Sequence, residues 1–423
     1  MNALNRRSLL GLAGGMAALS LAGCASPARP SQRVVVIGGG FGGATAAKYI
    51  RLWAPEIEVV LVEREAAFVS CPLSNLVLGG SQTIEGLTTG YGALQSKYGV
   101  RVVRDEALAI DPDKREVRLA RGDALRYDRL IVSPGVDFLY NEVPGLESAE
   151  AQARVLHAWK AGPQTVALRR QLEALPDGGV YALHIPKAPY RCPPGPYERA
   201  AQVAFYFQQH KPRSKVLVLD ANPDIVSKKG LFLKAWSERY PGIVEYRPNS
   251  ALVSVDAGQN LIQLQGESVR AGVLNVVPPQ KAGRIATGAG LLSGGKKWVG
   301  VDYQTFESLA VPGIHVLGDA TLSAPGMPKS GFMANNHAKV AADAVIAVLT
   351  GRAPNPVPVI ANTCYSFVSD TDVVHVASVH RYDPEKKTLV VVPGSGGLSS
   401  QANDTEGRYA RAWARNIWAD ALL

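Results

Sequence analysis

A buried-strand run, Arg33-Val34-Val35-Val36-Ile37, leads directly into Gly38-Gly39-Gly40-Phe41-Gly42-Gly43 and then into the helix-like Ala44-Thr45-Ala46-Ala47-Lys48-Tyr49-Ile50. No other feature limits the fold so strongly. Gly38, Gly40 and Gly43 keep the spacing G-x-G-x-x-G between a strand and a helix. The first glycine permits a tight turn, the second lets a pyrophosphate approach the backbone, and the third lets the helix lie against the strand. The helix N-terminus then faces the phosphates. A second strand, Glu58-Val59-Val60-Leu61-Val62, ends at Glu63, 20 residues beyond Gly43. An acid there accepts from adenosine ribose hydroxyls, and its plain alternative is a strand-end carboxylate.

Two further stretches bear on whether the nucleotide is NAD or FAD. Leu130-Ile131-Val132-Ser133-Pro134-Gly135 follows a strand-turn-strand region, and Ile314-His315-Val316-Leu317-Gly318-Asp319-Ala320 is a strand ending in Gly-Asp. Both are similar to the FAD signatures of the two-dinucleotide-binding-domain flavoproteins related to the disulfide reductases. That resemblance implies that Gly135 and Gly318 line the flavin and that Asp319 binds the ribityl chain. The helix expected from near Ser330 would aim its N-terminus at the flavin pyrimidine. The stretch of about 151 to 283 resembles a second such domain, but its strand Gly179 to Ile185 runs into Pro186-Lys187-Ala188-Pro189-Tyr190-Arg191-Cys192-Pro193-Pro194-Gly195-Pro196-Tyr197-Glu198. Prolines and bulky residues stand where backbone N–H groups must meet a pyrophosphate, so NAD(P)H binding is expected to be lost. Asp220, at the end of the next strand, then reads as an echo of the fold. The expected fold class is α/β, with two dinucleotide-binding (Rossmann-like) domains of the disulfide-reductase type plus a C-terminal α+β interface domain. The expected boundaries are 31–150 with 284–353 for the FAD domain, 151–283 for the second domain and 354–423 for the interface domain.

Hydrophobic residues make up 47% of the 423 residues against 19% charged, which excludes disorder over most of the chain. The formal charge of +9 includes Arg6 and Arg7, and the doublets Lys228-Lys229, Lys296-Lys297 and Lys386-Lys387 are scattered. Nucleic-acid binding needs a basic stripe, so it is excluded, whereas a mild basic field can steer an acidic protein partner. The N-terminus carries Arg6-Arg7-Ser8-Leu9-Leu10, a run of small apolar residues to Ala22, and then Gly23-Cys24. Residues 1–30 read as a Tat-type signal peptide, implying export to the periplasm of an already folded, cofactor-loaded protein. Leu21-Ala22-Gly23-Cys24 also fits a lipobox, in which Cys24 is lipidated and gives the only membrane contact; ordinary cleavage nearby fits equally well. No other stretch approaches the length of about 18 apolar residues that a membrane span needs.

Of the four cysteines, Cys24, Cys71, Cys192 and Cys364, three remain after the signal. In an oxidising compartment a pair plus one odd thiol is the natural partition. No Cys-x-x-Cys-His occurs, and neither cysteines nor His315 and His337 show metal spacing, so no metal is expected. At Cys192-Pro193-Pro194-Gly195-Pro196-Tyr197-Glu198-Arg199 and Asn362-Thr363-Cys364-Tyr365 the sequence resembles the flavoprotein subunit of flavocytochrome c sulfide dehydrogenase. The likeness extends over the whole chain, including Tyr409, Trp413 and Trp418. It implies a redox-active disulfide between Cys192 and Cys364 over the flavin, a thioether from Cys71 to the FAD, Glu198 as acid-base residue, and Trp418 near the flavin. On the residues alone, Cys71 reads equally as a buried free thiol, Glu198 as a solvated first-turn helix residue, Trp418 as packing, and the pair as a structural staple.

A disulfide electrophile accepts hydrosulfide by thiolate exchange, giving a persulfide on one cysteine and releasing the other as thiolate. The resemblance assigns sulfide capture to Cys192 and the flavin face to Cys364. It implies a sulfide dehydrogenase passing electrons through FAD to a c-type cytochrome subunit in a heterodimer. Two alternatives stand beside it, a sulfide:quinone oxidoreductase and a sulfur-binding flavoprotein without turnover.

Overall fold

The computed structural model describes residues 32–292 and 296–423; the expected export signal, with Cys24, lies outside them. Strand β1 (Arg33–Ile37) is β-branched at every position after Arg33, and Val34, Val35 and Val36 are fully buried. Branched side chains favour the extended chain, and a strand covered on both faces reads as one apolar run without alternation. Helix α1 (Phe41–Trp53) follows, then β2 (Glu58–Val62), a short α2 (Asn75–Gly79), β3 (Arg101–Val103) and β4 (Arg129–Val132). Gly38 turns the chain at φ +96°, a conformation that favours glycine. A Cβ on Gly43 would stand 1.8 Å from the Gly38 carbonyl oxygen, so the helix lies on the turn only because that atom is missing.

A second parallel sheet comes from β5 (Val180–Ile185), β6 (Lys215–Asp220), β7 (Val244–Arg247) and β8 (Val273–Val276), in the order β7-β6-β5-β8. Helix α3 (Gly195–His210) leaves β5, and α4 (Lys229–Arg239) leaves β6. The chain then returns to the first sheet as β9 (Ile314–Val316), beside β4, and completes the parallel order β9-β4-β1-β2-β3. Because β1 has β2 on one side and β4 on the other, connections leave it in opposite directions and open a crevice at its carboxyl end. The glycine turn sits at that crevice.

Helix α5 (Gly331–Thr350) packs on α1, after which β10 (Val359–Phe367), β11 (Val373–Asp383) and β12 (Thr388–Val391) form an antiparallel sheet. Helix α6 (Asp404–Leu422) closes the chain. It starts at Asp404, where Asn403 caps it by accepting the Glu406 amide at 2.8 Å. Its end is fixed to α1, where Tyr49 donates to Asp420 at 2.5 Å and Lys48 to the Ala419 carbonyl at 2.8 Å. Among the described residues no helix is long and apolar enough to cross a membrane.

Asp220 is fully buried and accepts from Tyr197 at 2.8 Å, Tyr246 at 3.0 Å, and the amide and side chain of Asn222 at 2.9 and 2.7 Å. Four internal donors saturate the two oxygens of this carboxylate, which leaves nothing for a ribose.

Candidate active site

The crevice fits a dinucleotide. Glu63 accepts the Gly39 amide at 2.6 Å and the Glu65 amide at 2.8 Å, which fixes the acid beside the glycine turn. A Cβ placed on Gly40 or on Gly135 would meet no atom within 4 Å, so the backbone faces open space at both. Asp319 follows Gly318 at φ +68°, and its Oδ1 is buried without a hydrogen-bond partner. An orphaned carboxylate oxygen is costly unless a donor such as a ribityl hydroxyl meets it. Burial pushes this carboxyl above the usual range, against the pull of Arg191 and Lys329. These residues would hold FAD.

Helix α5 begins beside Asp319. Ser330 caps it by accepting the Met333 amide at 3.0 Å, and His337 accepts the Gly318 amide at 3.3 Å. The preceding Lys329 is buried over the Trp298 ring at 3.8 Å and donates to the Asp319 carbonyl at 3.1 Å and to that of Thr321. Burial lowers its pKa to about 8. Sequence reasoning passed over Lys329, since a lone lysine before a helix carries no signal.

Cys71, Cys192 and Cys364 are all free thiols here. Cys71, half-buried in the loop before α2, receives the Ala161 amide at 3.4 Å and Arg191 Nη2 at 3.1 Å on its sulfur. Cys192 sits at φ +57°, a left-handed conformation that costs an ordinary residue of order 1 kcal/mol. Its amide donates to the Lys329 carbonyl at 2.9 Å. Cys364 lies on β10, where Asn362 Nδ2 donates to its sulfur at 3.3 Å and Ser330 Oγ donates to Asn362 Oδ1 at 2.7 Å. Both cysteines are therefore tied to consecutive residues at the N-terminus of α5.

Although Cys192 keeps an exposed edge, its packed surroundings desolvate the sulfur and push the thiol well above its usual range. Burial raises Cys364 too, with Lys228 and the Asn362 hydrogen bond pulling it back. Glu198 is 8% exposed in the first turn of α3, where its carboxylate accepts from Asn75 at 2.9 Å and from the Phe367 amide at 2.8 Å. It is a buried residue and not a solvated one, and burial raises its pKa against those hydrogen bonds. Trp418 stands on α6 against the apolar core around the first sheet, its indole N–H buried without a partner. Five residues earlier on the same helix, Trp413 meets Tyr365, the neighbour of Cys364, at a ring separation of 6.1 Å. The structure thus gathers Cys192, Cys364, Glu198 and Lys228 into one cluster, and Arg191, which donates to Cys71 and faces both Cys192 and Asp319, links Cys71 to it.

Three family models match the chain. Residues 32–169 match pyridine nucleotide-disulphide oxidoreductase, 165–278 match the central part of the sulfide dehydrogenase (flavocytochrome c) flavoprotein chain, and 356–422 match flavocytochrome c sulphide dehydrogenase, flavin-binding. A sulfide dehydrogenase (flavocytochrome c) flavoprotein chain of Chlorobaculum thiosulfatiphilum is 62% identical over 47 residues, 11% of this chain and 98% of that sequence. The mitochondrial sulfide:quinone oxidoreductase of Mus musculus is 23% identical over 325 residues, 71% of this chain and 68% of that one. The solved sulfide:quinone oxidoreductase of Aquifex aeolicus superposes with a TM-score of 0.72 at 20% identity, covering 92% of each chain, which shows the shared fold. The protein is an FAD-binding oxidoreductase of sulfur redox chemistry. With family models over its central and its flavin-binding regions and a 62% identical relative covered almost in full, the chain belongs to the flavoprotein family of the flavocytochrome c sulfide dehydrogenases.

Proposed function

We propose that this protein is an exported enzyme that oxidises hydrogen sulfide through a disulfide between Cys192 and Cys364, with FAD bonded through Cys71. The observation that carries the reading is the attachment of both cysteines to Lys329 and Ser330, at the helix end beside Asp319. When bound, FAD supplies a two-electron store that can be emptied one electron at a time. Hydrosulfide attacks Cys192, the disulfide bond breaks, and Cys364 leaves as thiolate. The lower-pKa sulfur leaves faster, and the pull of Lys228 and of the Asn362 hydrogen bond on Cys364 favours this order. Glu198 takes the proton of the incoming sulfide or of the persulfide, for which a raised pKa suits it.

The acceptor has two readings. A quinone is favoured by relatives aligned along most of the chain, whose names are those of sulfide:quinone oxidoreductases. A c-type cytochrome subunit is favoured by the regional family matches and the 62% identical stretch. The test is anaerobic bleaching of the flavin by sulfide, followed by reoxidation with a soluble ubiquinone analogue or with a c-type cytochrome in separate syringes. Absence of bleaching sinks the sulfide reading, and the faster reoxidant identifies the acceptor class.

A further inference from the structure

Lys228 caps α4 in a left-handed backbone conformation, φ +57°, with its side chain 5% exposed. Its Nζ donates to the Cys364 carbonyl at 2.9 Å, to Ser366 Oγ at 2.7 Å and to the Val374 carbonyl at 3.2 Å. Three acceptors for three N–H bonds describe an ammonium ion; a neutral amine would leave one of them unmet. A buried charge of this kind calls for an anion nearby. The acidic groups facing it are Cys364 from β10, Glu198 from α3, Cys192 from the loop before α3, and Glu406 from α6. Glu406 is already engaged by Ser399 and His375, and Glu198 by Asn75 and the Phe367 amide. Lys228 is the cation acting on Cys364, and its pull on that thiol is stronger than that of the Asn362 hydrogen bond.

On the reading that Cys192 and Cys364 form the redox pair, we propose that Lys228 is the positioning residue that supplies the counter-charge of the Cys364 thiolate and thereby makes Cys364 the departing sulfur. In that step a bond forms between hydrosulfide and the Cys192 sulfur, the Cys192–Cys364 bond breaks, and its electron pair comes to rest on the Cys364 sulfur. Lys228 neither gives nor takes a proton. Burial lowers its pKa to about 8, so the charge is present at neutral pH and is lost as pH rises through that value.

The test uses the reduced, flavin-loaded protein and follows iodoacetamide labelling of each cysteine by peptide mass spectrometry across a pH series. Lys228→Met should raise the apparent pKa of Cys364 by about one unit or more, slowing its labelling roughly tenfold near neutral pH. Cys71, held in its thioether to the flavin, should stay unlabelled in every sample. Lys228→Arg keeps the charge and should hold the Cys364 profile at or below that of wild type. An unchanged Cys364 profile in folded Lys228→Met overturns the proposal. If Lys228→Met does not fold, Lys228→Arg decides: an upward shift overturns it, and no shift or a downward one supports it. The readout needs no sulfide turnover, so its failure leaves the sulfide reading standing, while failed bleaching with a normal shift strikes only that reading.

Discussion

The amide of Cys192 donates to the carbonyl of Lys329 at 2.9 Å. This bond joins the proline-rich loop of the second sheet to the start of α5, where Lys329 also reaches the Asp319 carbonyl. A thiol on a loop depends on such tethers for a fixed position, because the loop's own backbone offers no ladder to hold it. Gly195 contributes as well: a Cβ there would stand 2.8 Å from the Cys192 sulfur.

Covalent attachment at Cys71 predicts that acid-precipitated wild-type protein keeps its yellow colour and that Cys71→Ala releases its flavin to the supernatant. The Ala161 amide and the Arg191 guanidinium both donate to the Cys71 sulfur and hold it in place. Flavin washing out of both proteins removes the covalent assignment.

NADH should not bleach the flavin in stopped-flow mixing. Helix α3 is capped by Pro194 and carries Pro196 in its first turn, so two of the amides a pyrophosphate would need are missing. Rapid reduction by NADH would show that some other cradle exists.

The first sheet and its glycine turn were legible in sequence because the constraint is local. Gly38, Gly40 and Gly43 answer to backbone contacts within one turn, and Val34 to Val36 to burial on both faces. The cluster was half legible. Cys192, Glu198 and Cys364 stood out through chemistry and resemblance, whereas Lys228 looked like half of a surface doublet. Its neighbour Lys229 is such a residue, exposed and paired with Asp224 at 2.5 Å. What separates the two lysines is a positive φ and a contact with a strand distant in sequence, neither of which leaves a local pattern. Lys329 and Arg191 were hidden because their partners Trp298 and Cys71 lie far off in sequence.

Glu198→Gln should lower kcat/KM for sulfide by about a hundredfold or more, the usual range for a lost general base. Since burial raises the pKa of Glu198, the acid limb of the wild-type profile should lie above the ordinary glutamate range, with rate lost as pH falls through it. The glutamine variant should lack that limb while keeping the ionisation of sulfide itself. A profile of unchanged shape in the variant would remove Glu198 from proton transfer.

Acid should destabilise the fold before the carboxylates titrate. Burial holds His157 and His337 down to about 3 and His184 to about 4, against 6.5 for an ordinary histidine. For groups depressed in the folded state the stability is present above the unfolded pKa and is lost as pH falls toward the folded one. Each should cost at most about 2 kcal/mol by pH 5. The raised carboxyls of Glu198 and Asp319 work in the opposite direction and offset part of this loss. Urea unfolding at pH 7 and pH 5 measures the sum, and equal midpoints would contradict it.

Cys192→Ser and Cys364→Ser should each abolish flavin bleaching by sulfide while leaving FAD in place, because either change removes the disulfide that hydrosulfide must attack. A purely structural bridge predicts otherwise. Cys192 and Cys364 are 172 residues apart, so losing a bond between them would cost about 2–5 kcal/mol through the long loop it closes, yet the folded fraction would still turn over. Melting temperature and anaerobic bleaching on the same preparations separate the two cases. The order of attack needs one more measurement: wild type given one equivalent of sulfide, quenched with an alkylating agent and digested, should carry its extra sulfur on the peptide of Cys192. Persulfide on the Cys364 peptide would reverse the two roles, and variants that melt early but bleach at wild-type rates would exclude the redox disulfide altogether.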